Sequence, residues 1–276
     1  MSLAYVYMPK EKTIRKPRET SPPALRNQAS PLSFPVAAIG ASAGGLAAFN
    51  ALLHALAPRS GMAFVLIQHL ESSHESALTS LLAKATSMPV VEVSDGMPVE
   101  PDHVYVIPPN RNMTIRAGRL RLAPRSEQSG VQHPIDDFSA ALAEEQGSGS
   151  IGVVLSGTGS DGTYGLRAIK AAGGVTFAQE PKTAQWPAMP TNAIAAGSVD
   201  FVLSTKRIAA ELARIARHPY IAEAKEIPDS AELDKICLIL GNAVGVDFRQ
   251  YKRPTVRRRI ARRMALQKIA SMRHIL

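Results

Sequence analysis

The sequence has very little cysteine, no long apolar run and no secretory signal. Its single cysteine, Cys237, excludes an internal disulfide and any zinc site built from several cysteines. No apolar run reaches the roughly 18 residues that a membrane-spanning helix needs. Residues 1–30 also lack an apolar core followed by a small-residue cleavage site. We therefore expect a cytoplasmic protein without a transmembrane segment.

The positive charge is concentrated at the two ends of the chain. Of the net charge of +9 over 276 residues, residues 1–30 carry +4 and residues 231–276 carry +8, which leaves −3 for the centre. A basic end can contact nucleic acid, acidic lipid or an acidic protein face, or can simply be a solvated surface. The length suits one large α/β domain with a small appendage.

Alternating strand and helix patterns over residues 35–218 predict a doubly wound α/β domain with a mostly parallel sheet and helices on both faces. The apolar runs VAAIG, AFVLI and IGVVLS are typical of parallel strands covered on both faces. Strands are predicted at 36–40, 63–67, 90–93, 103–107, 151–156, 174–178 and 200–203, and helices at 45–56, 75–86, 136–146, 163–172, 189–196 and 206–217.

The remaining segments have other characters. Residues 1–34 are predicted to be a disordered basic lead-in, residues 113–122 a small hairpin, and residues 219–230 a polar linker. Residues 231–276 are predicted to form a short all-helical segment. Its apolar residues fall at helical spacing in two stripes, which are Leu233, Ile236, Leu240 and Val244, and then Val256, Ile260 and Met264.

The first strand leads into a sharp turn, Gly40-Ala41-Ser42-Ala43-Gly44, and then into a helix. A serine flanked by small residues in this context is typical of a nucleophile elbow. The same glycines could cradle a dinucleotide phosphate at the helix N-terminus, and Ser42 could merely cap the helix. This stretch alone leaves all three interpretations open.

Polar residues follow two other predicted strands. Gln68 and His69 follow the second strand, and a glycine-rich loop containing Thr158 and Asp161 follows the strand IGVVL. Ligands bind at the carboxyl ends of strands in doubly wound sheets. A hydroxyl, an imidazole and a carboxylate at three strand ends are the parts of a Ser-His-Asp triad.

Each part of this triad has a chemical reason. The Ser42 hydroxyl needs a base in contact to become a good nucleophile, and the His69 imidazole titrates near neutrality and can accept that proton. Asp161 would fix the tautomer of His69 and stabilise the imidazolium. The backbone amides of Ala43 and Thr158 are predicted to form the oxyanion hole.

The dinucleotide alternative makes predictions that the sequence does not meet. The Gly40–Gly45 stretch resembles the opening of short-chain dehydrogenases, which carry a tyrosine with a lysine four residues later. No tyrosine of this chain has that partner, and Gln68 and His69 stand where an acid would bind the ribose. The triad interpretation is therefore preferred.

The same residues resemble the catalytic domain of the chemotaxis protein-glutamate methylesterases over about residues 35–218. The matching motifs are Gly40 to Gly45, Gln68-His69 and Leu155 to Gly162, supported by Tyr105 to Pro109, Gln179-Glu180-Pro181 and Met189-Pro190. The resemblance implies a catalytic triad of Ser42, His69 and Asp161 and oxyanion amides at Ala43 and Thr158. Family members often have threonine and methionine at these last two positions, but both act through backbone N–H groups.

The C-terminal segment resembles the first part of the N-terminal helical subdomain of the chemoreceptor glutamate methyltransferases. The matching stretches are Leu238 to Leu240, Val246 to Lys252 and Arg257 to Met264. The S-adenosylmethionine-binding domain of that family is missing, so we expect no methyltransferase activity. The methylesterases typically carry a receiver domain before the catalytic one, and residues 1–34 are too short for it.

These resemblances imply a hydrolase that removes methyl esters from glutamate side chains of chemoreceptors, with glutamine deamidation as a related activity. We expect no cofactor and no metal, and we expect the partner to be the cytoplasmic helices of a chemoreceptor and not nucleic acid. A non-catalytic receptor-binding adaptor is the alternative, and a nucleotide-binding oxidoreductase is a more remote one.

Overall fold

The computed structural model of the chain describes residues 32–68, 77–125, 132–218, 230–248, 251–269 and 271–274. Most of the predicted lead-in and linker, and also His69, lie outside the described residues.

The described residues form a central sheet of seven parallel strands and a separate antiparallel hairpin. The sheet contains β1 (Val36–Ala41), β2 (Ala63–Gln68), β3 (Val90–Glu92), β4 (Val104–Val106), β7 (Ser150–Val154), β8 (Val175–Gln179) and β9 (Phe201–Leu203). The spatial order is β3-β4-β2-β1-β7-β8-β9, and the hairpin pairs β5 (Arg111–Arg116) with β6 (Arg119–Pro124). The doubly wound prediction is confirmed, and so is the hairpin.

Eight α-helices are described. They are α1 (Gly45–Ala55), α2 (Ala77–Ala83), α3 (Pro134–Gln146), α4 (Thr163–Ala172), α5 (Ala188–Ala195), α6 (Thr205–Ala216), α7 (Ala231–Val244) and α8 (Arg253–Leu266). Within the described ranges, no helix is long and apolar enough to cross a bilayer.

Alternate residues of each central strand face two different cores. In β1, Ala37 and Ile39 pack in one apolar cluster with helices α1 and α6, whereas Val36 and Ala38 pack in another with α3, α4 and α5. All six residues of β1 are buried. Since side chains alternate across a strand, helices on both faces require every position to be apolar. This explains the continuous apolar runs of the sequence.

Helices α7 and α8 form a third, smaller core. The stripe of Val256, Ile260 and Met264 is buried there, as predicted. Leu233, Ile236, Leu240 and Val244 lie on α7, as their spacing predicts, but Leu240 is 40% exposed and Val244 is 60% exposed. The cluster with α8 uses Leu233, Ile236 and Cys237, all from the first ten residues of α7.

Helix α8 docks against the end of the central sheet at which the strands begin. The Arg262 side chain donates from Nε to the Gly174 carbonyl at 2.8 Å and pairs through Nη2 with the Asp200 carboxylate. Gly174 and Asp200 directly precede strands β8 and β9. Arg214 of α6 donates to the Ala265 carbonyl at 2.8 Å, and Ala265 is buried in the core that contains α6. The basic helix is thus attached at the amino-terminal ends of the strands, opposite their carboxyl ends.

We expect Arg262→Gln to loosen this docking, because Asp200 has only 7% of its side chain exposed and, among the described residues, would keep only the more distant Lys170 as a cation. Losing a buried charge-assisted hydrogen bond costs about 1–3 kcal/mol. Urea unfolding and hydrogen exchange of the α8 amides measure the change. Arg263→Gln, one residue further along and exposed, is the matched control. Equal exchange in the two variants would contradict the docking role of Arg262.

Candidate functional site

The turn containing Ser42 lies at the topological switch point of the sheet. Strand β1 lies between β2 and β7. Strands β2, β4 and β3 extend the sheet on one side of β1, and strands β7, β8 and β9 extend it on the other side. Ser42 follows β1, and the glycine-rich loop follows β7. The Ser42 amide donates to the Ser156 carbonyl at 3.0 Å, so the two strand ends are directly joined. Ligand sites of open α/β sheets occur at this position.

The turn is tight and is built around Gly44. The Gly45 amide donates to the Ser42 carbonyl at 2.8 Å, and α1 begins at Gly45. Gly44 has φ of +70°, and a Cβ atom there would lie 2.9 Å from Ser156 Oγ. The N-cap residue of α1 is Gly44 and not Ser42, so the interpretation of Ser42 as a simple helix cap is not supported.

The loop after β7 comes close to Ser42 at Gly157. A Cβ atom at Gly157 would lie 3.0 Å from the Ser42 Cβ and 2.7 Å from the methyl carbon of Met189, so only glycine fits without displacement. Thr158 follows and is exposed, and Ala43 is half-buried. The structure therefore brings the Ser42 turn and the Thr158 loop to one place. His69 lies outside the described residues, although Gln68 pairs in register with Ala41.

Asp161 is held by backbone amides at the start of α3. Its Oδ2 accepts a hydrogen bond from the Ile135 amide at 3.1 Å, and its Oδ1 accepts from the amides of Asp136 at 3.0 Å and Gly162 at 2.8 Å. A carboxylate at a helix N-terminus is favoured by the helix dipole and by the free N–H groups there. The Asp161 carboxylate is therefore fixed in orientation by α3.

Burial raises the pKa of Asp161 to about 6. The main cause is desolvation of the carboxylate, and the amide hydrogen bonds from Asp136 and Ile135 oppose it. The nearby Asp136 charge raises the pKa further, and His133 lowers it. Shifted carboxyl groups of this kind are common at functional sites.

His133, which no sequence motif singled out, lies with its Nδ1 3.9 Å from Asp161 Oδ1. Among the described residues, His133, Asp136 and Asp161 form a trio whose ligand atoms could reach one metal ion. However, both Asp161 oxygens accept backbone amides, and Asp136 accepts from the Gly165 amide at 2.6 Å. The two carboxylates are thus already held by backbone amides, and we assign no metal to the trio.

A cavity of about 420 Å³ opens beside the Ser42 turn. Asn50, Gln68 and Gln185 contribute amide side chains to its wall, and none of the described residues that line it is charged. The remaining walls are residues 44–47. The Asn50 Oδ1 and Gln68 Oε1 atoms are buried without a hydrogen-bond partner among the described residues. The described part of the cavity therefore offers an uncharged wall to a bound group.

Supporting contacts behind the turn are not predictable from the sequence. Ser156 is 1% exposed and Gln179 is 4% exposed, and the Gln179 side chain accepts from the Ser156 amide at 2.9 Å. Both residues lie in motifs that carried the family resemblance. The sequence supplied no reason to connect them, because 23 residues separate them along the chain.

By its fold and this site, the chain is a doubly wound α/β protein with a serine turn and a carboxylate-bearing loop beside its switch point. The model of the CheB methylesterase family matches residues 37–212, and that of the CheR methyltransferase all-alpha domain matches residues 231–276. The chain therefore belongs to the CheB methylesterase family, and its C-terminal helices are similar to a CheR all-alpha domain.

Individual relatives agree with this assignment. An uncharacterised 104.1 kDa protein of Rhodobacter capsulatus is 39% identical over 71% of this chain, but that match spans only 23% of the relative. A Myxococcus xanthus protein-glutamate methylesterase/protein-glutamine glutaminase is 35% identical over 66% of this chain and 54% of its own length. The crystal structure of the Thermotoga maritima CheB methylesterase catalytic domain matches with a TM-score of 0.62 and 27% identity, covering 67% of this chain and 100% of that one.

We expect the Asp161 carboxyl group to titrate near pH 6. The folded chain then binds a proton at Asp161 at pH values where the unfolded chain, with its pKa near 3.8, is ionised. The contribution of Asp161 to the free energy of unfolding therefore falls as the pH rises from about 4 to about 6. Carbon NMR of the side-chain carboxyl groups, assigned with Asp161→Asn, measures the midpoint. A midpoint below about pH 3.8 would mean that the amide hydrogen bonds outweigh burial.

Proposed function

We propose that this chain is a protein-glutamate methylesterase with Ser42 as nucleophile, His69 as general base and Asp161 as the group that orients His69. The observation that carries the proposal is the direct joining of the Ser42 turn to the loop after β7, in a chain of the CheB methylesterase family. Asp161 supports it as a buried, fixed carboxyl group on that loop.

The reaction proceeds through a covalent intermediate. Ser42 Oγ attacks the ester carbonyl of a methylated glutamate while His69 takes the hydroxyl proton. The backbone amides of Ala43 and Thr158 stabilise the oxyanion of the tetrahedral intermediate. His69 returns the proton to the departing methanol. Water, activated by His69, then hydrolyses the glutamyl ester of Ser42 and releases glutamate.

The neutral cavity beside the turn supports a neutral substrate. A methyl ester or a glutamine amide carries no charge, and none of the described residues that line the cavity carries one. The carboxylate product loses solvation in such a cavity without gaining a counter-charge, which favours its release. Deamidation of glutamine by the same residues, with ammonia as leaving group, is therefore part of the proposal.

We propose a chemoreceptor as the substrate and place the reaction in the cytoplasm, as the two family matches together favour. The exposed arginines Arg258, Arg259 and Arg263 of α8 would contact an acidic protein surface. Because α8 is docked at the opposite edge of the sheet from Ser42, that surface differs from the one presenting the glutamate. Two regions of a receptor assembly, or two receptors, would then be contacted at once.

We expect Ser42→Ala and His69→Ala each to lower the rate of methanol release from a methylated receptor by roughly 10³-fold or more, since a triad acts as a unit. A coupled enzymatic assay for methanol measures the rate. Ser160→Ala removes an exposed hydroxyl from the neighbouring loop and serves as the matched control, with near wild-type activity. Full activity in both triad variants would refute the assigned roles.

We also expect a fluorophosphonate probe to label Ser42, because such a probe reacts with an activated serine. The His69→Ala variant should lose this labelling, because Ser42 is no longer activated. Mass spectrometry of the digested protein locates the label. This measurement separates the enzyme from the adaptor alternative. A folded wild-type chain that binds receptor but takes up no label would favour the adaptor.

A further inference from the structure

The Ser156 side chain joins three segments around the Ser42 turn. Its hydroxyl donates a hydrogen bond to the Ala43 carbonyl at 2.9 Å and accepts one from the Trp186 amide at 3.0 Å. Its backbone carbonyl accepts from the Ser42 amide at 3.0 Å. The residue is 1% exposed, so these bonds are formed away from solvent and are not readily exchanged for bonds to water.

Two of these bonds fix both sides of the Ala43 amide. The peptide that carries the Ala43 N–H lies between the Ser42 amide and the Ala43 carbonyl, and Ser156 holds both of these groups. The carbonyl of that peptide accepts from the Gly45 amide at 2.8 Å. In a planar trans peptide the N–H points opposite to the carbonyl. Hydrogen bonds of the Ser42 amide, the Ser42 carbonyl and the Ala43 carbonyl therefore fix the direction of the Ala43 N–H.

The Thr158 amide is fixed in a related way from residues 186–189. The peptide that carries the Thr158 N–H has the Gly157 carbonyl at its other end, and this carbonyl accepts from the Met189 amide at 3.0 Å. The Gly157 amide donates to the Trp186 carbonyl at 2.9 Å. Residues 186–189 thus hold the Thr158 peptide, and the Ser156 hydroxyl is bonded to the same segment through the Trp186 amide.

Gln179 in turn holds Ser156. Its Oε1 accepts from the Ser156 amide at 2.9 Å, and its Nε2 donates to the Thr183 carbonyl at 2.9 Å. This contact connects strand β8 to the loop after β7. It also gives a physical role to the Gln179-Glu180-Pro181 motif, which the triad itself does not use.

We propose that the Ser156 hydroxyl is a positioning group, which holds the backbone amides of Ala43 and Thr158 at the separation needed to bind one oxyanion. Ser156 does not touch the substrate. It acts because its hydroxyl is bonded to the Ser42 turn on one side and to the segment that orients Thr158 on the other. The proposal rests on the proposed function, in which these two amides stabilise the intermediate.

The alternative is that the Ser156 hydroxyl only satisfies buried polar atoms and contributes to stability. Ser150 provides the matched comparison, because it begins the strand that Ser156 follows, is fully buried, and donates from its hydroxyl to the Gly147 carbonyl. Ser150 lies at the amino-terminal end of β7, whereas the Ser42 turn lies at the carboxyl ends of the strands. Ser150→Ala therefore reports the loss of a buried hydroxyl without any change at Ser42.

The test compares Ser156→Ala, Ser156→Cys and Ser156→Thr with Ser150→Ala and the wild type. We measure kcat and KM for methanol release, the rate of Ser42 phosphonylation and the melting temperature. Ser156→Ala is expected to lower kcat and the phosphonylation rate by about 10–100-fold, because small displacements of oxyanion donors are costly, with KM within about two-fold. Ser156→Thr keeps the hydroxyl and is expected to restore most of the rate.

Ser156→Cys keeps the side-chain size but replaces the hydroxyl with a weakly hydrogen-bonding thiol. It is expected to behave like Ser156→Ala in rate while melting close to the wild type, so the test holds even if the alanine variant fails to fold. The positioning role is overturned if folded Ser156→Cys keeps the wild-type kcat, or if the Ser156 variants lose no more activity than Ser150→Ala. A wild type that neither releases methanol nor takes up the phosphonate overturns the proposed function, and this proposal with it.

Discussion

The hydrogen bond between the Ser42 amide and the Ser156 carbonyl marks the constraint on which the site depends. The bond forms because β1 and β7 are neighbours in the sheet, although 113 residues separate Ala43 from Ser156 along the chain. The segment between these two strands supplies the half of the sheet that contains β2, β3 and β4, and the chain then returns to place β7 beside β1. Only this arrangement brings the serine turn and the glycine-rich loop together. The site is therefore a consequence of the completed fold.

The second dependence concerns α3. Its first amides donate hydrogen bonds to the Asp161 carboxylate and fix its orientation. These hydrogen bonds lower the pKa of Asp161, whereas burial acts in the opposite direction, outweighs them and raises the pKa to about 6. Helix α3 thus sets the direction of the group that we assign to orient His69, and burial sets its charge state.

The attachment of α8 places a basic surface at the amino-terminal ends of the strands, and the Ser42 turn lies at their carboxyl ends. Arg262 turns inward to Asp200 and the Gly174 carbonyl, whereas neighbouring arginines face outward. The match to a CheR all-alpha domain indicates the origin of these helices. Their docking on the methylesterase sheet explains how one chain can carry both sequences with a fixed relation between the basic surface and the Ser42 turn.

The sequence by itself determined the parallel, doubly wound sheet, since continuous apolar runs are compatible only with helices on both faces. It also led us to propose Ser42 and Asp161, because short motifs at strand ends carry local chemistry. It did not show that Leu240 and Val244 are exposed, because helical spacing cannot say where a neighbouring helix ends. Only the tertiary structure decided the contacts of Asp161 with α3, the bonds of Ser156 and Gln179, and the edge on which α8 docks. These depend on which distant backbone groups become neighbours, and hydrogen bonds between such groups leave no periodic signal in the sequence.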